Sequence, residues 1–352
     1  MAHRSPLALW FWSIAGMTLL VLMVGGITRL TQSGLSIVDW SPFMGVVPPL
    51  SEVGWQEAFD AYRRYPEYLE LRRGMTLDEF KFIYFWEYLH RLLARAIGLV
   101  FLVPFLYFAA RGALTRPLAV RSLALFGLGA AQGVMGWLMV QSGLVDQPHV
   151  SHFRLAAHLS LAFVIFGYAV WMAREMGRGG EGDGISHDTR SRMVRGLGWV
   201  GGLFALQVVW GAFVAGLKAG LYHNTFPLMA GRLIPPQFLR LEPALLNFVQ
   251  NPVTVQWVHR VLGTIVLVAT AVLFFRLASW GADRGSRILG GTLLVLMTGQ
   301  YLLGIVTLLL SVPVSLGVAH QALAMIILGA MVWWAHRLAR LSGPPPLDLK
   351  GK

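Results

Sequence analysis

The stretch YFWEYLHRLLARAIGLVFLVPFLYFAA, residues 84–110, decides the architecture. It is apolar over more than the roughly 20 residues that a helix needs to cross a bilayer. Near its start, however, it carries Glu87, His90 and Arg91. Ionisable groups inside a membrane are costly and mark a function. Seven further runs of this kind lie at residues 7–27, 118–140, 155–176, 197–217, 253–280, 288–310 and 314–336. The expectation is an all-α integral membrane protein with eight transmembrane helices.

Composition agrees. Of 352 residues, 56% are hydrophobic and 13% charged, against about 45–50% and about 25% in ordinary soluble domains. The net charge of +12 comes from Arg and Lys in connections between the apolar runs. Such clustering sets membrane orientation, and no basic stripe with interleaved aromatics suggests a nucleic-acid partner. There is no Cys, which excludes disulfides, thiolate metal sites, iron–sulfur clusters and covalent c-type haem attachment. The N-terminal MAHRSPLALWFW has too long an apolar continuation for a cleavable signal and lacks the Arg- and Ser-rich character of a transit peptide. The first helix is therefore expected to stay, in a bacterial cytoplasmic (inner) membrane.

The basic residues alternate from connection to connection. Arg4; Arg111, Arg116 and Arg121; Arg174, Arg178, Arg190, Arg192 and Arg195; Arg276, Arg284 and Arg287; and Arg337, Arg340, Lys350 and Lys352 fall on one side of an eight-span chain. That side is expected to be cytoplasmic, with both termini inside. The connections around Asp146 and Pro313 are short and lack basic residues. Two long outer connections remain, residues 31–82 and 218–252. In the first, Trp55, Phe59 and Tyr62 recur at helical spacing, which predicts an amphipathic helix on the membrane or capping the bundle. Thr76 and Glu79 form a capping-box pattern before the second span.

The chain divides into halves that echo each other. Tyr88-Leu-His90-Arg91 recurs as Trp257-Val-His259-Arg260, and Gln132-Gly-Val-Met-Gly136 as Gln300-Tyr-Leu-Leu-Gly304. Ala157-His158 and Leu161-Ala162 recur as Ala319-His320 and Leu323-Ala324. The order is kept, so the expected plan is two similar four-helix bundles related by a pseudo-twofold repeat, with an axis near the membrane normal. The halves are placed at 1–176 and 195–340, with a cytoplasmic linker at 177–194 and a tail at 341–352.

Four histidines lie in apolar runs, and the repeat pairs them as His90 with His158 and His259 with His320. Each sits near the start of a span entering from outside, so all four are expected toward the outer leaflet. Two imidazoles facing across a bundle suit axial ligation of haem iron. A core histidine bonded between helices is the plain alternative, weakened here by duplication in a membrane. A non-haem metal would call for more carboxylate or His at each centre. His3 and His187 read as solvated, His336 as the cytoplasmic end of the last span, and His149, His152 and His223 as outer-connection residues. His152 competes with His158 but has no echo in the second half.

The halves differ at one position. Glu87 precedes His90 by three residues, on the same helix face, whereas Gln256 holds the equivalent place before His259. This predicts one haem that reacts and one that assists. An ion pair with Arg91 is the structural alternative for Glu87. Arg91 and Arg260 are candidates either for haem propionates or for anchoring their helices at the interface.

At this point the sequence resembles the haem A synthase family, in its cysteine-free bacterial subgroup. The resemblance runs through Gly25-Gly-Ile-Thr-Arg29, Gly34-Leu-Ser-Ile37, Glu87-x-x-His90-Arg91, Gly136-Trp137 to Ser142-Gly-Leu144, His158, Trp210-Gly-Ala-Phe-Val-Ala-Gly216, Asn224-Thr-Phe-Pro227, His259-Arg260 and His320-Gln321. It implies an oxidoreductase that converts haem O to haem A, turning a ring methyl into a formyl group by successive hydroxylations. It implies His90 and His158 flanking the haem O substrate, His259 and His320 ligating a haem b cofactor, and Glu87 as the catalytic carboxylate. Implied partners are the lipid bilayer, haem O synthase, terminal oxidase assembly factors and an electron donor the sequence does not identify. The oligomeric state stays open, a homo-oligomer included. A di-haem electron-transfer cytochrome b explains the histidines but gives Glu87 no role. A transporter with a histidine proton relay predicts no haem.

Overall fold

The computed structural model describes residues 5–38, 47–144, 150–177 and 185–341, with side chains left out at 142–144. The connection at Asp146 and His149, the N-terminal His3 and Arg4, Arg178 and the tail lysines lie outside the described residues. Ten α-helices follow in order: α1 (Pro6–Leu30), α2 (Glu52–Tyr62), α3 (Leu77–Ala110), α4 (Arg116–Leu144), α5 (His152–Met176), α6 (His187–Gly216), the one-turn α7 (Asn247–Gln250), α8 (Pro252–Ser279), α9 (Arg284–Leu309) and α10 (Val314–Arg340). Eight of these are long and apolar enough to cross a membrane. Among the described residues there is no strand, only an isolated bridge between Met229 and Arg232. The chain is thus an all-α, multi-pass membrane protein.

Helices α3, α6, α8 and α9 start on side-chain caps that the sequence supplies. The expected capping box is present: Glu79 N donates to Thr76 Oγ1 (3.3 Å), and Thr76 N donates to Glu79 Oε2 (2.8 Å). Asn251 accepts from Val253 N at 3.0 Å, ahead of the proline that opens α8. Ser186 accepts from Thr189 N at 3.1 Å, so α6 begins at His187 and takes in the second part of the stretch read as linker. Capped polar turns extend a helix beyond the membrane because water meets their remaining backbone groups.

Helix ends repeat between the halves. After α3 and α8 the chain turns on Gly112 (φ 64°) and Gly281 (φ 72°), left-handed positions that glycine takes without a Cβ clash. After α1 and α6 the left-handed residues are Gln32 and Lys218. Arg29 Nη2, at the end of α1, donates to the terminal carbonyls of α6 at Ala215 (2.7 Å) and Gly216 (3.2 Å). A cation at a helix C-terminus satisfies orphan carbonyls and meets the helix dipole.

The core lies among α1, α5, α6 and α10. It centres on Phe11, Phe166, Met172, Met193, Met325 and Trp334. In the first half α1 packs on α3 and α5, and α4 on α3 and α5; in the second, α6 packs on α8 and α10, and α9 on α8 and α10. Between halves α1 meets α10, α5 meets α6, and α5 meets α10. Exchanging one half for the other leaves this set of major contacts unchanged. The flanks of α3 and α4 turn Leu99, Val103, Leu106, Val120 and Leu123 outward, as a lipid-facing surface does. The amphipathic helix α2 caps the bundle: Phe59 and Tyr62 are fully buried, Phe59 stacks on Phe80 of α3 at 4.9 Å, and Trp55 meets Tyr84 edge-on at 5.0 Å.

Candidate haem-ligand sites

Each of the four membrane histidines lies against a glycine of the neighbouring helix. His90 on α3 faces Gly25 on α1, His158 on α5 faces Gly136 on α4, His259 on α8 faces Gly211 on α6, and His320 on α10 faces Gly304 on α9. A Cβ added to those glycines would stand 2.8, 3.2, 3.1 and 2.9 Å from the imidazole Cε1, respectively. Any larger residue would push the ring aside. In all four histidines Nδ1 is buried without a hydrogen-bond partner. His90 lies within electrostatic range of His158, as does His259 of His320, so the structure brings together the pairs expected from the repeat.

A second layer recurs with the glycines. Gln132, Gln207 and Gln300 lie one helical turn before Gly136, Gly211 and Gly304. Each Nε2 donates to the backbone carbonyl of its histidine, at 3.1 Å for His158, 3.1 Å for His259 and 3.0 Å for His320. Each also stands 3.4 Å from the ring Nε2. The corresponding residue before Gly25 is Val21.

Glu87 is buried on α3. Its Oε2 accepts from Ser36 Oγ (2.7 Å) and from the Ile37 amide (2.8 Å), while Oε1 takes Arg91 Nη2 at 2.6 Å. The ion pair with Arg91 weighed from the sequence is therefore present. Arg91 Nη2 also donates to Ile37 O at 3.0 Å, so Glu87 and Arg91 together fasten the chain leaving α1 onto α3. The second half makes the same fastening with neutral chemistry. Gln256 Nε2 donates to His223 O at 3.1 Å, and Arg260 donates to His223 O and Thr225 O, both at 2.7 Å. Among the described residues, only the first half places a carboxylate beside its histidine pair.

A second buried carboxylate, Glu67, lies within electrostatic range of Glu87. Glu67 lies 3.7 Å from Arg72 Nε, and Arg72 Nη2 donates to Thr31 O (3.1 Å) and Gln32 O (2.9 Å). Burial pushes the Glu67 carboxyl up to about 7; Arg72 opposes the rise, and the Glu87 charge adds to it. Burial likewise raises the neighbouring Tyr62 phenol, with Glu67 contributing, and lowers the Lys218 ammonium, with Arg29 contributing.

The remaining histidines are elsewhere. His152 opens α5 and packs its ring on Phe153 (4.1 Å) and Phe213 (5.6 Å). His336 is buried at the far end of α10, 3.2 Å from Glu175 and edge-on to Trp171. Among the described residues no group of three or more His, Cys, Asp or Glu converges on one point. Paired imidazoles on glycine-lined beds, with no third His, Cys, Asp or Glu converging on either pair among the described residues, fit a haem held by two axial histidines.

Three layers of this site were missed in the sequence. Gln132 and Gln300 stood in the repeat without a role, and Gln207 was not singled out. Their spacing before a glycine was the available signal. Ser36 stood inside a quoted motif, but its contact with Glu87 depends on the loop after α1. Glu67 gave no sequence signal.

Comparison with known proteins places the geometry in context. A family model described as COX15-CtaA, cytochrome oxidase assembly protein, matches residues 8–332. A protein of Nitrosospira multiformis named heme A synthase is 44% identical over 96% of this chain and 95% of its own length. Proteins with that name from Parvibaculum lavamentivorans (43% identical; 96% of each chain) and Nitrosomonas eutropha (42%; 96% and 95%) are similar to the same extent.

Proposed function

The chain belongs to the COX15-CtaA family of cytochrome oxidase assembly proteins, and we propose that it is a haem A synthase, oxidising the methyl group of haem O to the formyl group of haem A. The observation that carries this reading is the difference between two otherwise similar sites. Both halves present a glycine-bedded histidine pair, and one alone has a buried carboxylate, Glu87, a helical turn from a ligand candidate.

On this reading His90 and His158 flank the haem O substrate, and His259 and His320 hold a haem b. Bound there, haem b supplies one-electron transfer, while ligand identity and surroundings tune it. The chain's own residues do the rest. The glycine beds fix each imidazole ring in depth and direction. Gln132, Gln207 and Gln300 tie three ligand-bearing backbones to the adjacent helix. Glu87, held by Ser36, Ile37 N and Arg91, is an anchored carboxyl group at the reacting side, placed to handle a proton or to stabilise developing positive charge. Its partners hold the carboxylate in place, so little reorganisation is needed during reaction. Gln256 keeps the loop contact of the second half without adding a charge. Arg91 and Arg260 follow the ligands directly and serve the propionate side besides the loop carbonyls they bind. The protein sits in the bacterial inner membrane with both termini cytoplasmic and its haem sites toward the outer leaflet. There it receives haem O from its synthase and passes haem A toward terminal oxidase assembly.

Glu87→Gln tests the reading. Expressed with a haem O supply, the variant should bind haem at both sites and accumulate haem O or its alcohol, seen by extraction and mass analysis. Undiminished haem A output would remove the catalytic role of Glu87. Haem b in both halves of the wild-type chain, with haem O left unconverted, would favour an electron-transfer cytochrome instead.

A further inference from the structure

Four equivalent positions hold the four histidines, and they are not equally equipped. At His158, His259 and His320 a glutamine amide on the neighbouring helix bonds the histidine carbonyl and touches the ring. Each of these carboxamides also keeps its Oε1 buried and unpartnered. A neighbouring side chain that bonds the ligand's backbone carbonyl and touches its ring holds the imidazole in place, and outer partners of this kind change metal affinity by about 10- to 100-fold. At His90 the corresponding residue is Val21, which has no polar side-chain atom. The ring there has only the Val21 backbone carbonyl within reach. A backbone carbonyl of this kind is also available to His259, from Gln207, so His90 lacks the side-chain contribution alone.

We propose that Val21 makes His90 the exchangeable ligand of the four, so that the first half can take up and release its haem while the second half retains its own. This inference rests on the haem reading above and adds which ligand gives way. The distribution is orderly. The second half has glutamine behind both histidines, as a site for a resident cofactor requires. The first half has glutamine behind His158 and valine behind His90. The site thus keeps one firm side and one loose side, and the loose side is the helix face that carries Glu87. Val21, Gln132, Gln207 and Gln300 act through the histidines and are positioning residues.

The test uses the full-length protein, purified as wild type, Val21→Gln, Gln207→Val and Gln132→Val, each expressed with haem O available. Haem release to excess apomyoglobin is followed by extraction and chromatography, which separates haem b from haem O and haem A. Alongside, the midpoint potential of each haem is measured. In the wild type, the haem O or haem A fraction should leave about tenfold faster than haem b, within the range by which such outer partners change affinity. Val21→Gln should slow that release toward the haem b rate. Gln207→Val should speed haem b release and shift its midpoint potential from the wild-type value, because the His259 ring and carbonyl lose the partner that holds them. Gln132→Val should loosen the first-half haem further. Equal release of both haems from the wild type, or wild-type release and potentials in the variants with both haems bound, would overturn the proposal. Chains without haem in every variant and in the wild type would remove the haem reading itself, and this inference with it.

Discussion

At the residue scale, the site depends on polar groups placed where a membrane helix normally has none. Glu87 is held by one hydroxyl, one backbone amide and one guanidinium, so its charge has partners despite burial. Glu67 is less well provided. It is buried, its Oε2 lacks a hydrogen-bond partner of good geometry, and Arg72 stands 3.7 Å from its other oxygen with the Tyr62 phenol nearby. With an ordinary value of 4.5 and a folded value of about 7, the sign is clear. Below the ordinary value both folded and unfolded chains hold the proton, and Glu67 has no effect. As pH rises from there to about 7, the unfolded chain loses the proton first, so the folded state becomes relatively less stable. Glu67→Gln should therefore raise thermal stability at about pH 8, by roughly 1–3 kcal/mol, and give no gain near pH 4. Thermal unfolding in detergent at the two pH values checks this; an equal effect at both would show that Glu67 does not titrate between them. The four paired histidines and the Glu87/Gln256 contrast were legible in the sequence because they stand at repeated positions. The environment of Glu67 was not, because it is assembled from α1, α2 and the turn after α2.

At the element scale, helix positions follow from length and caps, but helix faces do not. In a soluble protein a polar stripe shows which side of a helix faces water. Here lipid and core are both apolar, and packing is driven by close fit of small residues. That is why the spans could be read while the partner of each histidine could not. The glycine beds make the point testable. Gly304 and Gly299 both lie on α9. A Cβ at Gly304 would stand 2.9 Å from the His320 ring, whereas at Gly299 nothing lies within 4 Å. Gly304→Ala should displace His320 and lower bound haem b several-fold. Gly299→Ala should leave haem b unchanged and stabilise the helix by up to about 1 kcal/mol. Haem-to-protein ratios of the two purified variants check the contrast, and equal ratios would count against the bed as a positioning device. The connections after α1 and α6 share a task. Ser36–Ile37 and His223–Thr225 are both fastened to the helix that carries the first histidine of their half. The shared task was not visible from two loops of different length and composition.

At the scale of the whole molecule, two halves share one packing scheme and differ in a few side chains. The contacts of α1 with α10 and of α5 with α6, joined by Arg29 at the C-terminal end of α6, hold the halves together. Similar backbones then carry dissimilar chemistry: Glu87 against Gln256, and Val21 against Gln207. Both differences fall in or beside the His90 site, and they are the ground for proposing that the first half reacts and the second retains its cofactor. The most direct measurement is the haem content of full-length His90→Ala and His259→Ala proteins, each expressed with haem O and resolved by chromatography into haem b, haem O and haem A. The account predicts that His259→Ala loses haem b, while His90→Ala keeps haem b and loses conversion to haem A. Retention of haem b in His259→Ala together with its loss from His90→Ala would contradict the assignment of the two halves.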